Sequence, residues 1–382
     1  MQTIRRVDLH MAAFCVLIKC IEVCGKGCEA CMSVTSTVFG HMPDGKAVEK
    51  ITLKGEGGLT VSLITYGAAI QKILFHGRDV ALGFDSLEDY LGNTSFQGAM
   101  IGRYGNRIAG GRFTLEGQEY DVGRNEGDYG HLHGGAGGFH TRLWTAAVVR
   151  AGDEPCVRFS YTAADGEEGY PGRLEVSVDV SVTADNELRL DYQAQSDRDT
   201  VVNLTNHTYF NLHGWDGGDV LDMDLQVAAD AMLPVDERCI PTGEIRPVEG
   251  TAFDFRHPKP IGQDMKDIVP QIALCGGYDH TFVLGRPGQM KAAACVWSRK
   301  SGIEMECATD QPGVQVYVSN NLREPAGKGG LKLYQHQGLC LETQHYPDSP
   351  HRPAFPSTVL KAGDVFKSRT EYHFSVRTGD TK

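Results

Sequence analysis

The sequence predicts an all-β fold: one large antiparallel sandwich in a single domain. Three observations carry this. Period-2 alternation of apolar and polar residues recurs along the chain from Ile51 onward. Glycine supplies 46 of 382 residues, about 12% against an average near 7%, as many tight turns require. Helical periodicity is weak, and no repeat, low-complexity tract or Pro/Ser-rich linker divides the chain.

The clearest strand pair lies mid-chain. Leu174, Val176, Val178, Val180 and Val182 alternate with Glu175, Ser177, Asp179, Ser181 and Thr183, and a second alternation carries Leu188, Leu190, Tyr192 and Ala194. The short Ala184-Asp185-Asn186 loop between them predicts a β-hairpin. Further strands are expected at 157–161, 221–227, 282–284, 314–318 and 339–344, while 261–272 supports at best a turn or two of helix. The long loops 123–140 and 164–172 are where function is expected.

Composition excludes some functions. With 37 Lys and Arg against 49 Asp and Glu the net charge is −12, so a clustered basic footprint for nucleic acid is not expected. Residues 12–18 form an apolar run far short of the ~20 needed to span a bilayer. Arg5 and Arg6 precede it, but Asp8 and His10 intervene and no clean cleavage site follows. Five of 11 cysteines lie in residues 1–31, and Cys24, Cys28 and Cys31 have the C-x3-C-x2-C spacing of an iron–sulfur site. The alternating strands and helices that such a site needs are not predicted, so residues 1–31 are expected to be a poorly ordered or non-native extension, with the functional domain over 32–382. The other six cysteines are too sparse for a disulfide framework.

Residues 203–211, read as a strand, place Asn203, Thr205, His207, Tyr209 and Asn211 on one face. A solvent-facing strand would favour Lys and Glu; side chains that both donate and accept suit a cleft for a sugar or nucleoside. Glu342 follows three apolar residues, so its carboxyl is expected to be part-buried, with a raised pKa suited to a general base or a purely structural role. Arg107 is a candidate hydroxyl donor or loop clamp. His131-Leu132-His133 lacks the Glu that a cupin metal site needs four or five residues on; Gly137 and Gly138 stand there, and no metal is expected.

Together these segments resemble the aldose 1-epimerases (galactose mutarotases): GNRIAGGRF (105–113), LHGG (132–135), DGEEGYPG (165–172), NLTNHTYFNL (203–212), LPVDERCIPTGE (233–244), GTAFDFR (250–256), YDHTF (278–282), QPGVQVY (311–317) and CLETQHYPDSP (340–350). Their order holds from about residue 50 to the end, and the segments at 203 and 340 are the most specific. The resemblance implies a galactose mutarotase-like β-supersandwich with one open cleft and no cofactor. It implies His207 as general acid and Glu342 as general base. Asn106, Arg107, His133, Tyr209, Asp279 and Gln315 follow as substrate-binding residues. The one departure is the 31-residue extension.

The implied activity interconverts α and β anomers of free hexoses such as glucose and galactose. The alternatives are an epimerase for hexose 6-phosphates, which would need clustered arginines such as Arg103, Arg107 and Arg112 at the cleft, and a non-catalytic sugar-binding sandwich. Expected partners are a small aldose, with no nucleic acid and no membrane, in a monomer or weak dimer. The expected compartment is the cytoplasm, with secretion through residues 1–31 as the alternative.

Overall fold

The computed structural model describes residues 33–265 and 269–377. The extension at 1–31, its cysteine spacing and Met32 lie outside the described residues. No described helix is long and apolar enough to cross a membrane.

Three large antiparallel sheets, with four two-stranded ones beside them, build the described residues. The first is a five-stranded meander, Val34–His41, Ala47–Lys54, Thr60–Ile64, Ala69–Phe75 and Arg78–Asp79, in sequence order. The second has nine strands and contains the expected hairpin, Leu174–Val182 paired with Glu187–Ser196 from Leu174↔Ser196 to Val182↔Leu188. The long strand Val365–Val376 joins that hairpin to Ile303–Thr309. Alternation has the expected consequence: Leu174, Val176, Val178 and Val180 are buried, with Leu188 and Leu190 opposite. The third sheet orders Arg246–Pro247, Ala231–Met232, Asp279–Val283, Gly313–Tyr317 and Cys340–Gln344.

One apolar core runs through all three sheets, taking Leu63 and Ile73 from the first, Val178 and Leu190 from the second, and Phe282 and Val314 from the third. That continuity makes one domain, in a chain whose only described α-helices are Leu87–Leu91 and Pro270–Cys275. The expected strands at 157, 221, 282, 314 and 339 appear as Cys156–Ala163, Asp224–Val227, Asp279–Val283, Gly313–Tyr317 and Cys340–Gln344.

Residues 203–211 differ from expectation. Only Thr205–Asn206 is a strand, paired with Met100–Ile101. The remainder is irregular backbone, touching neighbours through isolated bridges at Asn203 and Phe210. All nine residues are buried. Such a segment must satisfy its polar groups without a ladder, and asparagines do this. Asn203 donates to the Gly105 and His345 carbonyls and accepts from His345 N–H. Asn206 donates to the Gly98 carbonyl, and Asn211 to those of Gly218 and Gln337.

A buried ion pair ties the turn near Lys328 to the first sheet. Lys328 Nζ lies 2.7 Å from Asp79 Oδ2 and donates to the Ala81 carbonyl at 2.7 Å; both side chains are nearly inaccessible. Removing one partner leaves the other buried and unpaired. Lys328→Met is therefore expected to cost roughly 3–5 kcal/mol in urea unfolding, while loss of the exposed Lys46–Asp44 pair leaves the midpoint unchanged.

Candidate active site

The third sheet sets the floor of a cleft by register alone. Thr281, Gln315 and Glu342 stand side by side across three strands, as do Asp279, Tyr317 and Cys340. Phe282, Val314, Val316 and Leu341, which alternate with them, pack into the apolar cores. One face of the sheet is thus spent on the interior, and the other presents carboxylates and amides.

The irregular segment crosses above and delivers His207 and Tyr209. The His207 Nε2 to Glu342 Oε1 distance is 3.8 Å, and His207 Nδ1 meets Cys340 Sγ at 3.5 Å. Tyr209 stacks on the His207 ring at 4.9 Å, and Phe96 covers it at 5.8 Å. Both titratable groups are buried, 3% and 2% exposed. Burial pulls the His207 pKa down to about 4. Burial, and then the nearby Asp279 carboxylate, push Glu342 well above the carboxylate range against the pull of Arg107. Glu342 Oε2 has no hydrogen-bond partner among the described residues.

Arg107 opens the short strand Arg107–Ala109, and His133 directly follows its partner strand Gly130–Leu132. Arg107 makes two parallel bonds to Glu126, Nε to Oε2 at 2.8 Å and Nη2 to Oε1 at 2.7 Å, and Nη1 lies 3.8 Å from Asp279 Oδ2. Burial works against its charge, but Asp279 and Glu126 outweigh that and hold its pKa above the usual value. Asn106 N–H donates to His133 Nδ1 at 3.2 Å, so the proton of the neutral imidazole sits on Nε2 as a donor. Burial keeps His133 neutral, its pKa well below normal. Gly134 follows with φ of +83°, where a Cβ would fall 1.9 Å from the Gly102 carbonyl oxygen; the turn that aims His133 tolerates only glycine.

The cleft holds about 760 Å³ including its open mouth, and His207, Glu342, Asn106, Arg107, His133, Tyr209 and Asp279 all line it. Gln315 does not. Its carboxamide lies behind Asp279, donating to Asp279 Oδ1 at 2.6 Å and accepting from the Thr281 hydroxyl at 2.5 Å. Asn203, Thr205 and Asn211 are likewise buried in the frame instead of lining the cleft. Sequence reasoning missed Glu126, Phe96, Tyr317 and the rim residues Asn321 to Glu324. Tyr317 ends the strand Gly313–Tyr317, and for the others the only signal was membership of polar loops. His133, His207 and Glu342 place one ligand-type atom each within 4.8 Å of one another; all three also serve a purely acid–base arrangement.

The arginines do not converge. Arg103 is buried, donating to the Pro171 carbonyl at 2.7 Å and the Thr200 hydroxyl at 3.1 Å, its pKa lowered to about 10 by burial. Arg112 is exposed and pairs with Glu119.

A family model described as aldose 1-epimerase matches residues 49–373. Galactose mutarotase of Rattus norvegicus is 44% identical over 352 residues, 90% of this chain and 99% of that protein. Aldose 1-epimerase of Escherichia coli (strain K12) is 38% identical over 340 residues, 87% and 96% of the two chains. The crystal structure of galactose 1-epimerase from Lactobacillus acidophilus NCFM aligns with a TM-score of 0.81 at 29% identity, covering 90% of this chain and 99% of that one.

Buried neutral histidines have a consequence for stability. Burial lowers the pKa of His131, His140, His207 and His345 to about 4 and that of His280 to about 3. The unfolded chain takes up these protons near pH 6.5 and the folded one does not. Their contribution is therefore intact above about pH 6.5 and is lost as pH falls toward 4, at up to about 3 kcal/mol per group. Urea midpoints measured from pH 7 down to pH 5 are expected to fall steeply. A flat profile would show that these rings charge freely in the folded state.

Proposed function

The chain belongs to the aldose 1-epimerase family, and from that premise we propose that Glu342 is its general base and His207 its general acid. It is an isomerase that interconverts the α and β anomers of aldoses. The observation that carries the role assignment is the 3.8 Å gap between His207 Nε2 and Glu342 Oε1 at the cleft floor. A cyclic aldose bears its hydroxyl oxygen and its ring oxygen on one carbon. A donor and an acceptor only slightly farther apart than one hydrogen bond can serve both oxygens together.

Glu342 takes the proton of the anomeric hydroxyl while His207 donates to the ring oxygen. The C1–O5 bond breaks and the free aldehyde forms. Rotation about C1–C2 turns the other carbonyl face toward O5. Closure then returns both protons: His207 regains its own from the O5 hydroxyl, and Glu342 gives its own to the new anomeric oxygen. Arg107, His133 and Asp279 hold the remaining hydroxyls, with Asn106 positioning His133. Tyr209 stacks on the acid, and Gln315 acts by fixing Asp279.

Free glucose and galactose are the substrates this reading favours. Glu126, Asp279 and Glu324 line the cleft and would repel a phosphate dianion. Arg103 is buried in the frame and Arg112 is turned to Glu119. A pure sugar-binding module has no use for an acid and a base desolvated against each other. The cytoplasm remains the favoured compartment, since the six cysteines beyond residue 31 are too sparse for a disulfide framework.

The neutral pair and the ion pair differ by moving one proton, so both hold the same number of protons. Activity needs that singly protonated pair. The profile of kcat/KM is expected to be bell-shaped, its acid limb near pH 4 where His207 gains a second proton for the pair, and its alkaline limb above the ordinary carboxylate range. By polarimetry on fresh α-glucose and α-galactose, Glu342→Ala and His207→Asn should each lower kcat by ~10²–10⁴-fold. Retention of most activity by one of them would remove it from the mechanism.

A further inference from the structure

Behind the Asp279 wall of the cleft lies a thiol pair that the mechanism does not use. Cys239 Sγ and Cys275 Sγ are 2.9 Å apart, and both lie within 4.8 Å of an Asp279 carboxylate oxygen. The pair joins two segments distant in sequence. Cys239 sits in a tight turn closed by Asp236 N–H to the Ile240 carbonyl at 2.9 Å. Cys275 ends the helix Pro270–Cys275. The Gln271 side chain clamps the two segments together, accepting from Val235 N–H at 2.8 Å and donating to the Val235 carbonyl at 2.9 Å.

The separation discriminates between two chemistries. Two thiolates on one tetrahedral zinc, with bonds of ~2.3 Å, stand about 3.8 Å apart. A disulfide bond is about 2.05 Å long, so bonding needs an approach of about 0.9 Å between segments already held face to face. We infer that Cys239 and Cys275 form a reversible disulfide, and that this modification loosens sugar binding through Asp279.

The reaction balances with hydrogen peroxide as oxidant. The Cys239 thiolate attacks one peroxide oxygen; the O–O bond breaks, sulfenic acid forms and hydroxide leaves to become water. Cys275 sulfur then attacks that sulfur; the S–S bond forms, the S–O bond breaks, and the thiol proton leaves with the hydroxyl as a second water. Two thiols and one peroxide give one disulfide and two waters. Cys239 is the less buried partner, and the hydrogen bond from the Cys275 thiol lowers its pKa, which suits it to attack first.

Asp279 feels the change because only Gly276, Gly277 and Tyr278 separate it from Cys275. Its carboxylate is shared between the Gln315 amide at 2.6 Å and Arg107 at 3.8 Å, so a displaced helix end moves a tightly placed ligand. This second step rests on the reading of Asp279 as a sugar ligand; the bond itself does not.

The test uses the full-length protein, treated with hydrogen peroxide, blocked with N-ethylmaleimide and mapped by peptide mass spectrometry. The expected result is a cross-linked Cys239–Cys275 peptide pair, two hydrogens lighter than the reduced peptides. KM for galactose should rise roughly 5-fold or more while kcat changes less, and dithiothreitol should reverse both effects. Cys239→Ser should keep basal activity and lose the response. Alkylation of both thiols after peroxide would overturn the disulfide. A cross-link with unchanged KM, or a Cys239→Ser protein that peroxide affects equally, would overturn its link to the cleft. If the enzyme were inactive on aldoses from the outset, the cross-link would still be read by mass.

Discussion

Desolvation of two titratable groups against one another is the constraint on which the site depends. Water would hold Glu342 as an anion and leave His207 about one quarter protonated at pH 7. Removing it pushes each toward its neutral form, so that a proton shuttled between them costs little net charge. Family membership establishes the reaction; burial explains how a carboxyl and an imidazole 3.8 Å apart suit both directions of it. An anomer interconversion must run equally well either way, and a pair that exchanges one proton is symmetric in that respect. The same burial that tunes the pair makes the fold sensitive to acid, because the frame holds several other rings neutral by the same means.

Delivering those groups requires two kinds of backbone. The sheet carrying Asp279, Gln315 and Glu342 is regular, and its register alone puts the three in reach of each other. The segment carrying His207 is irregular and runs through the interior, where asparagine side chains replace the missing ladder bonds. Rigid strands position Glu342, and an amide-braced crossing positions His207. Around them the Arg107–Glu126 fork and the Gln315–Asp279 bond fix the polar walls before any sugar arrives, so less ordering remains to be done on binding.

Much of this was legible in the sequence, for definite reasons. The hairpin at 174–196 alternates strictly because one face of its sheet is buried, and that pattern survives without knowledge of any partner strand. Glu342 was readable as a buried carboxyl because three apolar residues precede it. The run at 203–211 misled in one respect: its alternation of polar residues mimics a strand, yet those side chains are polar because the backbone there lacks a ladder. Asn203 and Asn211 brace the frame, while His207 and Tyr209 reach the cleft. Gln315 had the right neighbours and the wrong depth, since nothing local shows that Asp279 stands in front of it. Glu126 was marked only by lying in the loop 123–140, and Phe96 by nothing local, because loop residues reach the site through tertiary contacts alone. The Cys239–Cys275 pair was invisible for the same reason, its halves being carried by separate turns.

The most direct test of the shared-proton account is a double-mutant cycle in polarimetry with Glu342→Gln and His207→Asn. Groups that act as one unit on one hemiacetal lose their function together. The double variant is then expected to fall no more than about 10-fold below the worse single variant. Losses that multiply would show two independent contributions and contradict the coupled pair.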